Sequence, residues 1–146
     1  MIVSLDHIAI AVPDLQKAIA RFLEDFGLNY EGSEDAVEAK TTTAFFPVKG
    51  TSIELVHPLN GEGPLVNFLE KRGPGIHHIC FESDDLGADV ARLREKGYQF
   101  LSDEPTIGAH NARVIFIHPK SCDGVLIVLL VADLIHHVVM DLQDPI

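Results

Sequence analysis

Basic residues and cysteines are scarce in this chain, and each scarcity rules something out. Lys and Arg together number 11 against 22 Asp and Glu, for a formal net charge of −11. Phosphate backbones and anionic bilayers are gripped by clustered basic side chains, so neither nucleic acid nor a membrane surface is expected as a partner. A small anionic substrate stays open, because a local site can be metallated within an acidic protein. The two cysteines, Cys80 and Cys122, are too few for a disulfide framework. A reducing, cytoplasmic setting is expected. No stretch approaches the roughly 18 apolar residues of a membrane span. The nearest, residues 125–132, suits a buried strand. Met1 leads into apolar residues, with no basic n-region or cleavage site, so no leader peptide is expected.

What is present is enough for one well-packed domain: 146 residues, 47% of them hydrophobic. The domain is expected over residues 1–132, followed by a C-terminal extension, 133–146. Inside it the chain repeats itself. "LDHIAIAVPDLQKAIARFLEDFGLNY" from Leu5 matches "IHHICFESDDLGADVARLREKGYQF" from Ile76. His7-Ile8 aligns with His78-Ile79, Asp14-Leu15 with Asp85-Leu86 and Ala20-Arg21 with Ala91-Arg92, all at one offset of 71 residues. Gly27 and Gly97 follow one residue out of step.

Each copy reads as strand, turn and helix. Residues 7–12 form a β run, Pro13-Asp14 turns with Asp14 as N-cap, and Ala18, Ile19, Phe22, Leu23 and Phe26 recur at helical spacing. Gly27 stands where a C-cap belongs. In the second copy Asp84-Asp85 caps and Val90, Leu93 and Ala91 face the core. Further strands are expected at 41–48 and 52–56, at 113–118 and 125–131, and near Tyr30 and Phe100. The Gly- and Pro-rich stretch 60–75 reads as a linker carrying a short helix around 66–69. The fold class is therefore α+β, with two tandem βαβββ modules at about 3–59 and 75–132. A repeat this long is no solenoid; two such units related by a pseudo-two-fold would place equivalent residues around one cavity.

Strand alternation says which residues those are. Ile8, Ile10 and Val12 belong under the helix, which leaves His7, Ala9 and Ala11 on the other side. In the second copy His78, Cys80 and Glu82 point with that set. Glu54, inside "SIELV", either faces solvent or needs a partner, since a carboxylate between apolar strand residues is costly to bury alone. Two imidazoles and one carboxylate suit a divalent transition metal with positions left open for substrate. Cys80 is expected to pack as a small hydrophobe. His57, His77 and His118 are expected to be structural or exposed, and the acidic clusters at 31–38 and 103–104 to be solvated.

The blocks "LDHIAIAVPDL", "IELVHPL", "GIHHICFESDD" and "EPTIGAHNARVIFIHPKSCDGVLI" resemble, in order and spacing, those of the methylmalonyl-CoA epimerases. These belong to the vicinal oxygen chelate (glyoxalase-like) superfamily. The resemblance covers roughly residues 3–127. It implies a U-shaped mixed sheet around a metal cleft, with a divalent ion (Co2+, Zn2+, Mn2+, Ni2+ or Fe2+) held by His7, Glu54 and His78. It also implies C2 epimerisation of an acyl-CoA-type substrate, and a homodimer. His110, in "IGAHN", and Lys120, in "HPKS", are candidate substrate contacts. Two positions depart from the pattern. The fourth ligand, a glutamate after "GVLI", is replaced by Val128, and a second catalytic glutamate maps to Thr43. The catalytic base is thus unassigned. The metal keeps three protein ligands with solvent completing its shell, or His136 or His137 of the extension supplies the fourth, or the chain has diverged in activity. A glyoxalase I-like lyase, a dioxygenase and a non-enzymatic ligand-binding member are the alternatives.

Overall fold

The computed structural model describes residues 1–132; the extension with His136 and His137 lies outside the described residues. The elements are β1 (Ile2–Ala11), α1 (Leu15–Ala20), β2 (Ser33–Ala36), β3 (Thr41–Val48), β4 (Thr51–Pro58), α2 (Pro64–Arg72), β5 (Gly75–Ser83), α3 (Leu86–Glu95), β6 (Thr106–Ile107), β7 (Arg113–Ile117) and β8 (Ile127–Val131). Contacts divide the chain into two compact units. One is Leu5–Ile79; the other is Met1–Ser4 with the chain from Cys80 onward. The division differs from the expected modules in one consequential respect: the first residues of β5, His78 among them, count with the first unit.

In the unit Leu5–Ile79 the strand order is β2-β3-β4-β1. β1 runs parallel to β4 with Ala9 opposite Glu54. β3 and β4 form an antiparallel hairpin with Phe45 opposite Glu54 and Thr43 opposite Val56. β2 lies at the edge, a few residues later than the strand expected near Tyr30, and all four of its residues are exposed. Tyr30 instead stacks on Phe46, ring centroids 5.1 Å apart.

The alternation of β1 divides the unit into two apolar layers. Ile10 and Val12 pack with Ala18 and Ile19, and with Ala44, Phe46 and Leu55. Ala9, Ala11 and Val56 pack on the opposite face against Leu65, Phe68 and Leu69 of α2. The linker helix thus covers part of the face to which His7 belongs. Small residues at 9 and 11 let the helix approach closely.

Helix α1 starts where expected: the Asp14 carboxylate accepts from the Lys17 N–H at 3.1 Å. It ends differently. Over Arg21–Asp25 the helix widens into a π turn, and the extra residue shifts the phase of the apolar stripe. Phe22 still reaches the core, but Leu23 and Phe26, expected inside, are 41% and 60% exposed. Gly27 then takes φ +70, and the Leu28 N–H closes back on the Phe22 carbonyl at 3.0 Å. A side chain at 27 would be strained in that conformation.

In the second unit the order is β5-β8-β7-β6. β8 pairs antiparallel with β7, Val128 opposite Phe116. The strand expected near Phe100 is reduced to one bridge with Ile117. Asp85 caps α3 by accepting from the Ala88 N–H at 3.1 Å. Asp84, expected to share that role, instead pairs with the N-terminal ammonium at 2.6 Å. Leu86, Val90 and Leu93 pack on Ile115, Ile117 and Leu129. Ala91 is exposed rather than core-facing, since one helical step from Val90 rotates a side chain by about 100°. Cys80, Val128 and Leu130 form a separate layer with Val114 and Phe116. Cys80 is fully buried there, as a small hydrophobe should be.

This unit also buries a charge. Asp89, only 2% exposed, accepts from the Ser83 hydroxyl at 2.6 Å and from Arg92 at 3.1 Å. Burial pushes its carboxyl up. The bonds from Ser83, Arg92 and the amino terminus outweigh that and hold it below the usual carboxylate range.

Candidate metal centre

Three adjacent features of the first unit bring chemistry together. β1 carries His7, its parallel neighbour β4 carries Glu54 two residues further along, and the start of β5 carries His78. His7 and Glu54 are buried, at 9% and 8% exposure. The solvated alternative for Glu54 therefore does not hold.

The two imidazoles meet tip to tip, with His7 Nε2 and His78 Nε2 3.0 Å apart and the rings edge to face at 78°. On the other side of His7, Nδ1 lies 2.7 Å from Asp6 Oδ2 and 2.9 Å from Glu54 Oε2. Carboxylates only accept, so His7 Nδ1 carries the proton and donates. In the neutral ring this leaves the electron pair on Nε2, the atom that faces His78. Burial, with the neighbouring His7 and His77 adding to it, pushes the His78 imidazole down to about 3. It is therefore neutral at physiological pH, the state a metal ligand needs.

The two facing imidazole nitrogens have the spacing of a divalent ion's ligands. Imidazole nitrogens sit roughly 2.0–2.1 Å from zinc-like cations, so two of them at a right angle are about 3 Å apart. The observed Nε2 separation matches that spacing. The Glu54 carboxylate supplies negative charge in a place where an unpaired one would be expensive. Two histidines and a carboxylate are a recurrent open-site set for transition metals.

Thr43 is partly buried on β3, opposite Val56. Val128 is 3% exposed in the layer with Cys80 and Leu130. His110 is exposed at the tip of the β6–β7 hairpin, with φ 56. Lys120 is exposed and lines an open groove of about 370 Å3 with Lys96, Tyr98, Gln99 and Ser121. The remaining histidines have structural partners: His57 Nδ1 bonds the Val12 carbonyl at 2.8 Å, and His118 Nδ1 accepts from the Lys120 N–H at 3.0 Å.

Two contributors escaped the sequence reading, Asp6 and His77. Each is the chain neighbour of a site histidine, and strand alternation assigns neighbours to opposite faces. The only signal was the adjacency itself, in "DH" and "HH".

Residues 6–116 match the family model of the Glyoxalase/Bleomycin resistance protein/Dioxygenase superfamily. The ethylmalonyl-CoA/methylmalonyl-CoA epimerase of Cereibacter sphaeroides is 44% identical over 131 residues, covering 88% of this chain and 98% of that protein. The chain belongs to the methylmalonyl-CoA epimerase family. Structure agrees with sequence. The methylmalonyl-CoA epimerase of Mycobacterium tuberculosis superposes with a TM-score of 0.85 at 35% identity, over 90% of this chain and 89% of that one. An epimerase solved with methylmalonyl-CoA and NH4+ gives 0.86 at 31% identity, over 92% and 97%. The α+β fold with tandem modules is thus the fold of the epimerases. Family membership makes the chain an isomerase by kinship. Among the described residues no helix is long and apolar enough to cross a membrane.

Proposed function

We propose that this chain is a metal-dependent epimerase that inverts C2 of methylmalonyl-CoA or a similar 2-substituted malonyl thioester, with His7, Glu54 and His78 holding the metal. The observation that carries this is the tip-to-tip approach of a buried and a half-buried imidazole, with a buried carboxylate beside the first. A relative whose name covers both ethylmalonyl-CoA and methylmalonyl-CoA supports a 2-substituted malonyl thioester rather than one fixed acyl group.

The C2 proton lies between a carboxylate and a thioester and is acidic for a C–H bond, but the enolate must still be stabilised. When bound, a divalent cation supplies Lewis acidity for the charge that develops on the substrate oxygens. The chain's own residues do the positioning. Asp6 accepts from His7 Nδ1–H and so fixes the tautomer that presents Nε2. His78 stays neutral through burial. Inversion needs a proton removed on one face and returned on the other; neither Thr43 nor Val128 can take one at neutral pH, so the family's two carboxylate positions do not do it here. Lys120, beside Lys96 in its groove, is the substrate contact suited to the anionic part of a CoA thioester, and His110 is the second candidate contact. We further propose that the chain works as a homodimer in the cytoplasm; light scattering decides the former.

The test is C2 exchange. One methylmalonyl-CoA epimer is incubated in deuterated water with the metal-loaded protein and followed by NMR. Deuterium is expected at C2 together with the second epimer. No exchange, with metal demonstrably bound, refutes the epimerase reading and leaves the lyase, dioxygenase and binding-module alternatives.

A further inference from the structure

His77 is the side chain at the site that the proposed function leaves without a task, and its surroundings are built around it. Its Nδ1 lies 2.9 Å from His78 Nδ1, with the rings edge to face at 79°. Its other flank meets Phe68 of α2, ring centroids 4.9 Å apart at 69°, and Phe68 is itself capped by the Arg72 guanidinium at 5.6 Å. A neutral imidazole accepts at one nitrogen while donating from the other.

Resting on the metal-site reading above, we infer that His77 is a positioning residue: its Nδ1 accepts the Nδ1–H of His78 and so presents His78 Nε2 to the cation. A neutral imidazole that ligates through Nε2 must carry its proton on Nδ1, and that N–H needs an acceptor. Ligand histidines generally find one in a carboxylate, a carbonyl or water. His7 follows the common form with Asp6. His78 has a second imidazole in that place. Helix α2, drawn from the linker, holds that imidazole through Phe68. The two ligand rings are thus fixed by different devices, an acid at the first and a ring braced by a helix at the second.

The experiment is a Co2+ titration of metal-free protein, read by the visible absorption of the bound ion. Wild type, His77→Phe, His77→Asn and His78→Ala are compared. Phenylalanine keeps the ring against Phe68 but offers no acceptor. Asparagine gives up the ring but places a carbonyl oxygen near the Nδ1 position. The expected result is a 10- to 100-fold weaker association for His77→Phe, recovery to within a few-fold of wild type for His77→Asn, and none for His78→Ala. Thermal unfolding of each metal-free variant checks that the fold is intact. Two results overturn the inference alone: His77→Phe binding as tightly as wild type, or both His77 variants weakening equally, which would make the ring's packing the cause. Failure of wild type itself to bind Co2+ overturns the metal site, and the inference with it. Imidazole 15N shifts of the loaded protein give a readout independent of affinity, with His78 expected to be protonated at Nδ1 and His77 at Nε2.

Discussion

Single residues offer the sharpest tests, and Val128 is the first of them. The family resemblance puts a fourth metal ligand at that position, and the chain has a valine packed among Cys80, Leu130, Val114 and Phe116. Val128→Glu would bury a carboxylate in that apolar layer. Without metal the variant should be destabilised, by about 3–5 kcal/mol if the charge stays uncompensated. With a divalent ion it should regain stability and bind the ion more tightly than wild type. Isothermal titration and thermal unfolding read both effects, and unchanged affinity would show that residue 128 is not the fourth-ligand position. Glu54 makes the complementary case. Its neighbours Ile53 and Leu55 left solvent exposure and metal binding equally open in the sequence. Burial beside His7 Nδ1 removes the first.

At the scale of elements, α2 and α3 each cover an apolar layer within their own unit. Leu65 is the buried anchor of α2, against Ala9, Ala11 and Val56. Leu65→Ala should cost roughly 2–5 kcal/mol through lost burial and the cavity left behind, measurable as a lower denaturation midpoint with an unchanged slope. In α3 the buried Asp89 ties the helix to Ser83 at the end of β5. Its carboxyl titrates below the ordinary value near 3.8. Its contribution is therefore complete above the unfolded pKa and is lost as pH falls through the lower, folded one. Asp89→Asn should lose about 1–3 kcal/mol at neutral pH and show a flatter acid limb below pH ~4 than wild type. An identical acid limb in both proteins would mean that Asp89 is already protonated in the fold. The π turn after α1 marks the limit of periodicity arguments. The spacing of Leu23 and Phe26 is helical, yet one added residue in the turn rotates both outward.

At the scale of the whole molecule, a ligand that binds only the folded chain stabilises it by mass action. A divalent ion at about 100 times its dissociation constant should add about 2.7 kcal/mol, seen by calorimetry as a higher Tm that EDTA reverses. In His78→Ala the ion should leave Tm unchanged. A metal-induced shift of equal size in that variant would place binding at the acidic surface, which a net charge of −11 makes a real competitor.

The repeat, the cap residues, both helix-ending glycines, the hairpin strands and the pairing of His7 with His78 were legible in the sequence, because each depends on local periodicity or on an internal match. The fold class follows from these alone. The burial of Glu54 beside His7 was not decided by the residues alone, and neither the contact of His77 with His78 nor the cover supplied by α2 was legible. Contacts between residues remote in sequence depend on strand register and on where a linker helix comes to rest. Those are fixed only when the apolar layers on both faces of β1 are filled at once.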